Sequence, residues 1–216
     1  MHIVWDWNGT LFDDHPLVVA SVNASLARLN GPEIDAAEYR RHFVRPLHVF
    51  YERLLGSPID DGLMQQIDDT FQEAYALGIE TVDLTADARQ AVEQVAASGA
   101  TQSIASMLWH DVLVSTVMRF GLEERMVALD GHRGGVGETK EAHLRSHVER
   151  LIARHPTMER TAMVVIGDIT DDAAAARAAG VGCVLYDGGS QDREILERQG
   201  FPVASTLLEA VATALG

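Results

Sequence analysis

The strongest constraint on this fold is a change of pattern along the chain. From about residue 84 onward, short β-branched runs alternate with helical stretches, which means βαβ units and a parallel sheet. The spacing predicts strands over 101–105, 126–129, 162–166 and 182–186. Helices are predicted over 86–97, 108–120, 139–154 and 171–179, with two short helical pieces after the last strand. Before that region only one strand is expected, 2–7. It is followed by helical pattern alone: Leu17, Val18, Val22, Leu26 and Leu29 recur at helical spacing until Gly31-Pro32. A second stretch, 35–55, breaks near Pro46, and a third, 60–77, stops at Gly78. The expected architecture is an α/β fold, a doubly wound parallel sheet whose first strand is separated from the rest by an α-helical insertion.

Length and composition agree. The 216 residues, 47% hydrophobic and 23% charged, suit one large globular domain or one carrying an insertion. The longest apolar runs are strand-sized, which argues against a membrane span. The N-terminus lacks a basic segment followed by an apolar run, so a cytoplasmic location is expected. The single cysteine, Cys183, excludes an internal disulfide and a cysteine-rich zinc site. With 17 basic against 32 acidic residues the formal charge is −15, and no basic cluster offers a nucleic acid a landing place. Only one of the basic residues outside histidine is a lysine, Lys140.

In open α/β sheets ligands bind at the carboxyl ends of strands. Those ends read Asp6-Trp7-Asn8, Ala105-Ser106-Met107 and Gly167-Asp168, with Lys140 in the helix after the 126–129 strand. Each piece has a plain alternative. Asn8-Gly9 between apolar runs also fits a hairpin turn. An Asp after a strand often caps the next helix, although Asp168, Asp171 and Asp172 together exceed what capping needs. Crowded carboxylates repel unless a cation joins them, and Mg²⁺ takes hard oxygen ligands. The glycine-rich run 131–140 lacks the Gly-Lys-Ser/Thr ending of a phosphate-binding P-loop.

Taken together, Asp6-x-Asn8-Gly9-Thr10, Ser106, Lys140 and Gly167-Asp168-x-x-x-Asp172 resemble, in order and spacing, the four motifs of the haloacid dehalogenase (HAD) superfamily phosphatases. The resemblance runs from the start of the chain to about residue 188 and is to phosphoglycolate-phosphatase-like members with a helical cap. It implies a core domain of 1–14 and 87–216 and a cap of 15–86. It also implies a phosphatase acting on a small phosphorylated metabolite. Asp6 would be the nucleophile that forms an aspartyl-phosphate. Mg²⁺ would be held by the Asp6 carboxylate, the Asn8 backbone carbonyl and Asp168, with Asp172 acting directly or through water. Thr10, Ser106 and Lys140 would bind the phosphoryl oxygens. A phosphonatase-type member would need a cap lysine, which this chain lacks.

The departure from the family pattern is Asn8. Hydrolytic members usually carry a second Asp there, which protonates the leaving alcohol and then activates water. An amide does neither. Asp13, Asp14, His15, His42 and His48 are the alternative proton donors suggested by position, and Arg41, His42, Arg45 and His48 the polar cap residues expected to set specificity. The other reading of Asn8 is a non-catalytic or very slow protein that binds a phosphometabolite or holds a phosphorylated Asp as a signal.

Overall fold

The computed structural model describes residues 1–134 and 139–216; residues 135–138 of the glycine-rich run lie outside the described part. The chain forms two compact units, Met1–Asp13 with Leu84–Gly216, and Asp14–Asp83.

The first unit is a six-stranded, wholly parallel sheet. Its elements in chain order are β1 (His2–Trp5), then, after the second unit, β2 (Thr101–Trp109), β3 (Leu129–His132), β4 (Met163–Gly167), β5 (Gly182–Tyr186) and β6 (Val203–Ala204). The spatial order is β3-β2-β1-β4-β5-β6, so the winding reverses between β1 and β4. Trp5 pairs with Ile104 on one side and Ile166 on the other. That register sets the ends of β1 and β4 level with each other and with the Ala105-Ser106 stretch of β2. A cluster including Val4, Leu144, Val148, Met163, Val165, Ala176 and Leu185 fills the sheet–helix interface. It suits a sheet buried on both faces, whose strands read as continuous apolar runs.

The second unit contains the helices α1 (His15–Arg28), α2 (Ala36–His42), α3 (Leu47–Leu55) and α4 (Asp61–Gly78). Asp35 caps α2 through a capping box with Glu38, and Asp60 caps α4 by accepting from the Leu63 amide. The unit has its own core of Val22, Leu26, Tyr39, Phe50, Tyr51 and Ile67. Asp14 belongs here because the Tyr75 hydroxyl donates to it at 2.7 Å.

Back in the sheet unit, α5 (Ala88–Ala97) leads into β2 and α6 (His110–Arg119) follows it; α7 (Lys140–Arg154) and α8 (Thr170–Ala179) flank β4, and α9 (Arg193–Glu197) and α10 (Leu207–Leu215) close the chain. Three expectations need correction. β2 runs to Trp109 rather than 105, because it stays paired with β3 across a register shift between Ser106 and Trp109. β3 starts at Leu129, not 126: Met126 closes the short helical turn Glu123–Arg125, donating its amide to Glu123. The two-residue β6 pairs with β5 and is too short to leave a periodic signal. Among the described residues no helix is long and apolar enough to cross a membrane.

Candidate active site

Asp6 follows β1, and its amide donates to the Ile166 carbonyl at 2.9 Å, extending the strand pairing by one residue. The chain then turns tightly. Gly9 at φ +70° donates to Phe12, and Phe12 donates back to Trp7. This is a closed loop and not the hairpin that Asn-Gly alone allows, because β1 finds parallel partners on both sides. Trp7 stacks on Phe12 at 5.3 Å with Phe120 against both rings, which anchors the loop in apolar packing. A Cβ at Gly9 would collide with the Asp168 carboxylate, and one at Gly189 would do the same from the other side. The two glycines therefore let the backbone close around Asp168.

Asp168 is buried after β4. Its Oδ1 accepts from Thr10 Oγ1 at 3.2 Å and its Oδ2 from the Ser190 amide at 2.7 Å. Asp172 is divided between two tasks. Its Oδ2 accepts from the Asp168 and Ile169 amides, each at 3.1 Å, and so caps α8. Its Oδ1 lies 2.6 Å from Lys140 Nζ. Both the capping and the charge-cluster readings of this acidic run hold at once.

Lys140 is the first residue of α7, whose start Thr139 caps by accepting from the Ala142 amide. Its ammonium also reaches Asp6 Oδ1 at 3.1 Å. Ser106 Oγ donates to Asn8 Oδ1 at 3.3 Å and accepts from the Leu108 amide. These contacts join five of the residues singled out from the sequence, Asp6, Thr10, Lys140, Asp168 and Asp172, while Ser106 is bonded to Asn8, two residues beyond Asp6. Thr10 and Ser106 are already engaged with Asp168 and Asn8.

The electrostatics follow from burial. Asp6, Asp168 and Asp172 are 5%, 1% and 1% exposed, and oxygens of the three lie within 4.8 Å of one another. Burial pushes Asp6 well above the usual carboxylate range; Lys140 pulls it down, while Asp172 and Asp168 add to the rise. Burial and the neighbouring Asp172 lift Asp168 to about 6. Burial works against the Lys140 ammonium, yet Asp172 and Asp6 outweigh it and hold Lys140 above the ordinary lysine range. One cation faces three carboxylates, a deficit that a divalent ion with oxygen ligands would offset. The residues present therefore fit Mg²⁺.

Of the alternative proton donors, Asp13 lies in the sheet unit and the other four in the helical unit. Burial, with Arg40 nearby, lowers His15 to about 4, so it is neutral at neutral pH. Sequence reasoning missed the Ser190 amide and Gln191, whose Oε1 accepts from the Thr170 amide at the head of α8. A backbone donor leaves no sequence signal. It also missed a buried relay in which His2 Nε2 meets Ser103 Oγ at 2.9 Å, Ser103 Oγ meets His147 Nε2 at 2.9 Å, and His147 Nδ1 meets Asp130 Oδ2 at 3.1 Å. Here a signal existed: Lys140, His143, His147 and Leu151 recur at helical spacing, so one face of α7 carries the polar groups.

The profile of the haloacid dehalogenase-like hydrolases matches residues 3–186, and the chain belongs to that family. No curated protein matches by sequence. Among solved structures, similarity extends to a candidate phosphoglycolate phosphatase from Lactobacillus delbrueckii subsp. bulgaricus. It is 13% identical, with a TM-score of 0.83, covering 100% of this chain and 98% of that one. A haloacid dehalogenase-like family hydrolase from Streptococcus pneumoniae is 17% identical, with a TM-score of 0.80, covering 98% and 97%. A hydrolase from Pseudomonas syringae is 19% identical, with a TM-score of 0.74, covering 99% and 97%. At such identities the likeness is one of fold.

Proposed function

We propose that this protein is a cytoplasmic, Mg²⁺-dependent phosphatase that hydrolyses a small phosphorylated metabolite through an aspartyl-phosphate on Asp6, with the helical unit serving as a substrate-selecting cap. The observation that carries the reading is the ion pairing of Lys140 with both Asp6 and Asp172 at the point where the sheet winding reverses.

The chemistry follows from the residues. Phosphoryl transfer depends mainly on positioning and on neutralising oxygen charge. Asp6 attacks phosphorus as a carboxylate, so a group whose burial favours the protonated form needs Lys140 beside it. The P–O bond to the leaving group breaks as the Asp6 O–P bond forms; water then attacks phosphorus and frees Asp6. Thr10 and Ser106 hydroxyls and the Lys140 ammonium hold the phosphoryl oxygens. When bound, Mg²⁺ held by the Asp6 carboxylate, the Asn8 carbonyl and Asp168, with Asp172 in support, supplies positive charge to those oxygens. Asn8 offers no proton to the departing oxygen, so good leaving groups are favoured. Neither nucleic acid nor membrane is a partner in this reading.

A second reading draws on the Ser106–Asn8 hydrogen bond: an amide stands where a proton-transferring acid would serve hydrolysis. A protein that binds a phosphometabolite, or keeps Asp6 phosphorylated as a signal, would tolerate that. A panel of phosphate esters, acyl phosphates and phosphonates with Mg²⁺, run beside Asp6→Asn, separates the two. Turnover abolished by Asp6→Asn supports the phosphatase; stoichiometric labelling without turnover supports the second reading.

A further inference from the structure

The carboxyl ends of β2 and β3 carry a polar and aromatic group that the phosphoryl chemistry does not use. Trp109, three residues past Ser106, is 54% exposed. Its ring centroid lies 5.0 Å from that of His132, which ends β3. The next residue, Arg133, is held from several sides. One of its terminal nitrogens donates to Asp130 Oδ1 at 2.7 Å and to the Gly131 carbonyl at 3.3 Å. The other lies 3.1 and 3.0 Å from the two nitrogens of His110. His110 Nδ1 also accepts from the Gly131 amide at 3.3 Å, which fixes the imidazole. An isolated surface indole needs no explanation. Here, however, the indole is accompanied by a fixed guanidinium and two imidazoles. The group sits at the carboxyl edge of the sheet, where open α/β folds bind ligands. A face for stacking beside a few positioned polar groups is the usual make-up of a small-molecule subsite.

The geometry points to a leaving-group subsite for a planar heteroaromatic ring, which makes a nucleoside 5′-monophosphate the substrate class. The proposal rests on the phosphatase reading of Asp6. Strand geometry limits the separation of Trp109 from Ser106 to about 10 Å along the chain, a span that a phosphate, a sugar and a base bridge together. The Trp109 face takes the ring by stacking, which tolerates any base, and the fixed Arg133 guanidinium places positive charge beside it.

The test compares adenosine 5′-monophosphate with ribose 5-phosphate, which share the same alkyl leaving oxygen and differ only in the base. The native protein should show a kcat/KM for adenosine 5′-monophosphate at least about tenfold higher, in line with the worth of one base–aromatic stack. Trp109→Ala should bring the ratio toward one, and Trp109→Phe should retain most of it. Calorimetric titration of Asp6→Asn with the same two ligands, in Mg²⁺, should give the same ratio in Kd without turnover. Equal handling of the two ligands by the native protein, or a preference that survives Trp109→Ala, overturns the subsite; so does absence of binding by both. A Trp109-dependent binding preference in a protein that turns over neither these ligands nor any aryl or acyl phosphate would instead uphold the subsite and overturn the phosphatase reading.

Discussion

The ammonium of Lys140 lies 2.6 Å from Asp172 and 3.1 Å from Asp6, so the helix-capping acid holds the lysine at least as closely as the nucleophile does. Asp172 is in turn fixed by the Asp168 and Ile169 amides. The position of the cation over Asp6 is therefore set by the start of α8, through a carboxylate whose two oxygens have different partners.

Lys140→Arg should remain folded and lose most activity, because a planar fork cannot replace a compact ammonium between two buried oxygens. Lys140→Ala removes the cation from among three buried acids, and breaking such a pair costs about 3–5 kcal/mol. Its thermal midpoint should fall by several degrees and recover more on adding Mg²⁺ than that of the native protein. Differential scanning calorimetry at several Mg²⁺ concentrations reads this directly. A Lys140→Arg protein with native kcat/KM would remove Lys140 from the mechanism.

Mg²⁺ should raise the thermal midpoint of the native protein in a concentration-dependent way, as any ligand specific to the folded state does. The same titration on Asp168→Asn should give little or no rise, and activity should vanish in excess EDTA and return with Mg²⁺. Unchanged activity after exhaustive chelation is the result that contradicts the metal site.

Asn8→Asp should raise turnover of alkyl phosphates at least about tenfold, a cautious share of the 10²–10⁴ typical of general acid–base help. In the native protein the rate should depend steeply on leaving-group pKa, with acyl and aryl phosphates ahead of alkyl ones. The new carboxylate would stand where Asn8 now accepts from Ser106, so the backbone carbonyl is undisturbed. Fast native hydrolysis of alkyl phosphates with no gain in Asn8→Asp would mean that another group supplies the proton.

Stability should fall between pH 6.5 and pH 4 through His2, which burial, followed by the nearby His147, lowers from 6.5 to about 4. In that window the unfolded chain binds the proton and the folded one does not, so stability is full above pH 6.5 and declines as the pH drops. The contribution is about 3 kcal/mol. Asp168, raised to about 6, acts with the opposite sign between its ordinary value and that pH in the metal-free protein. The loss of midpoint from pH 7 to pH 5 should accordingly be smaller in His2→Asn than in the native protein, measured by urea unfolding in EDTA. An identical loss in both would exclude His2 as the cause.

Gly9→Ala should abolish activity while leaving the far-ultraviolet circular dichroism nearly unchanged. The substitution strains a residue at φ +70° and drives a methyl group against Asp168. Retained Mg²⁺ response in Gly9→Ala would show that the loop relaxes without moving the acid.

How much of this was legible in the sequence depended on the kind of residue. Asp6 and Asp168 could be placed because each follows an apolar strand, and strand ends are where a parallel sheet exposes its chemistry; Ser106 lies inside β2, which continues past it to Trp109. Lys140 was conspicuous because no other lysine competes with it. The beginning of β3 was misplaced because Met126 and Val127 have strand-like side chains while a preceding helical turn takes up the Met126 amide. The hairpin alternative at Asn8-Gly9 was a fair local reading that the long-range pairing of β1 overrode. Of the His2–Ser103–His147–Asp130 relay only the α7 side left a signal, in the helical spacing of His143 and His147; its other members lie on three strands that only the folded sheet brings together.

β1 is the innermost strand of the wound sheet, with β2 and β4 as its neighbours. During synthesis it emerges before both of its partners and must wait for them. The β2 side becomes available only after the whole helical unit has been made, and the β4 side only after α7. Such distant pairings are slow to form. A ribosome-bound chain ending before β4 would carry Asp6 and Lys140 but neither Asp168 nor Asp172. It would also present the apolar edge of β1 unpaired, a surface that invites association with other chains. The same topology that gathers the acids at one point thus ties the onset of chemistry to the synthesis of β4 and the start of α8.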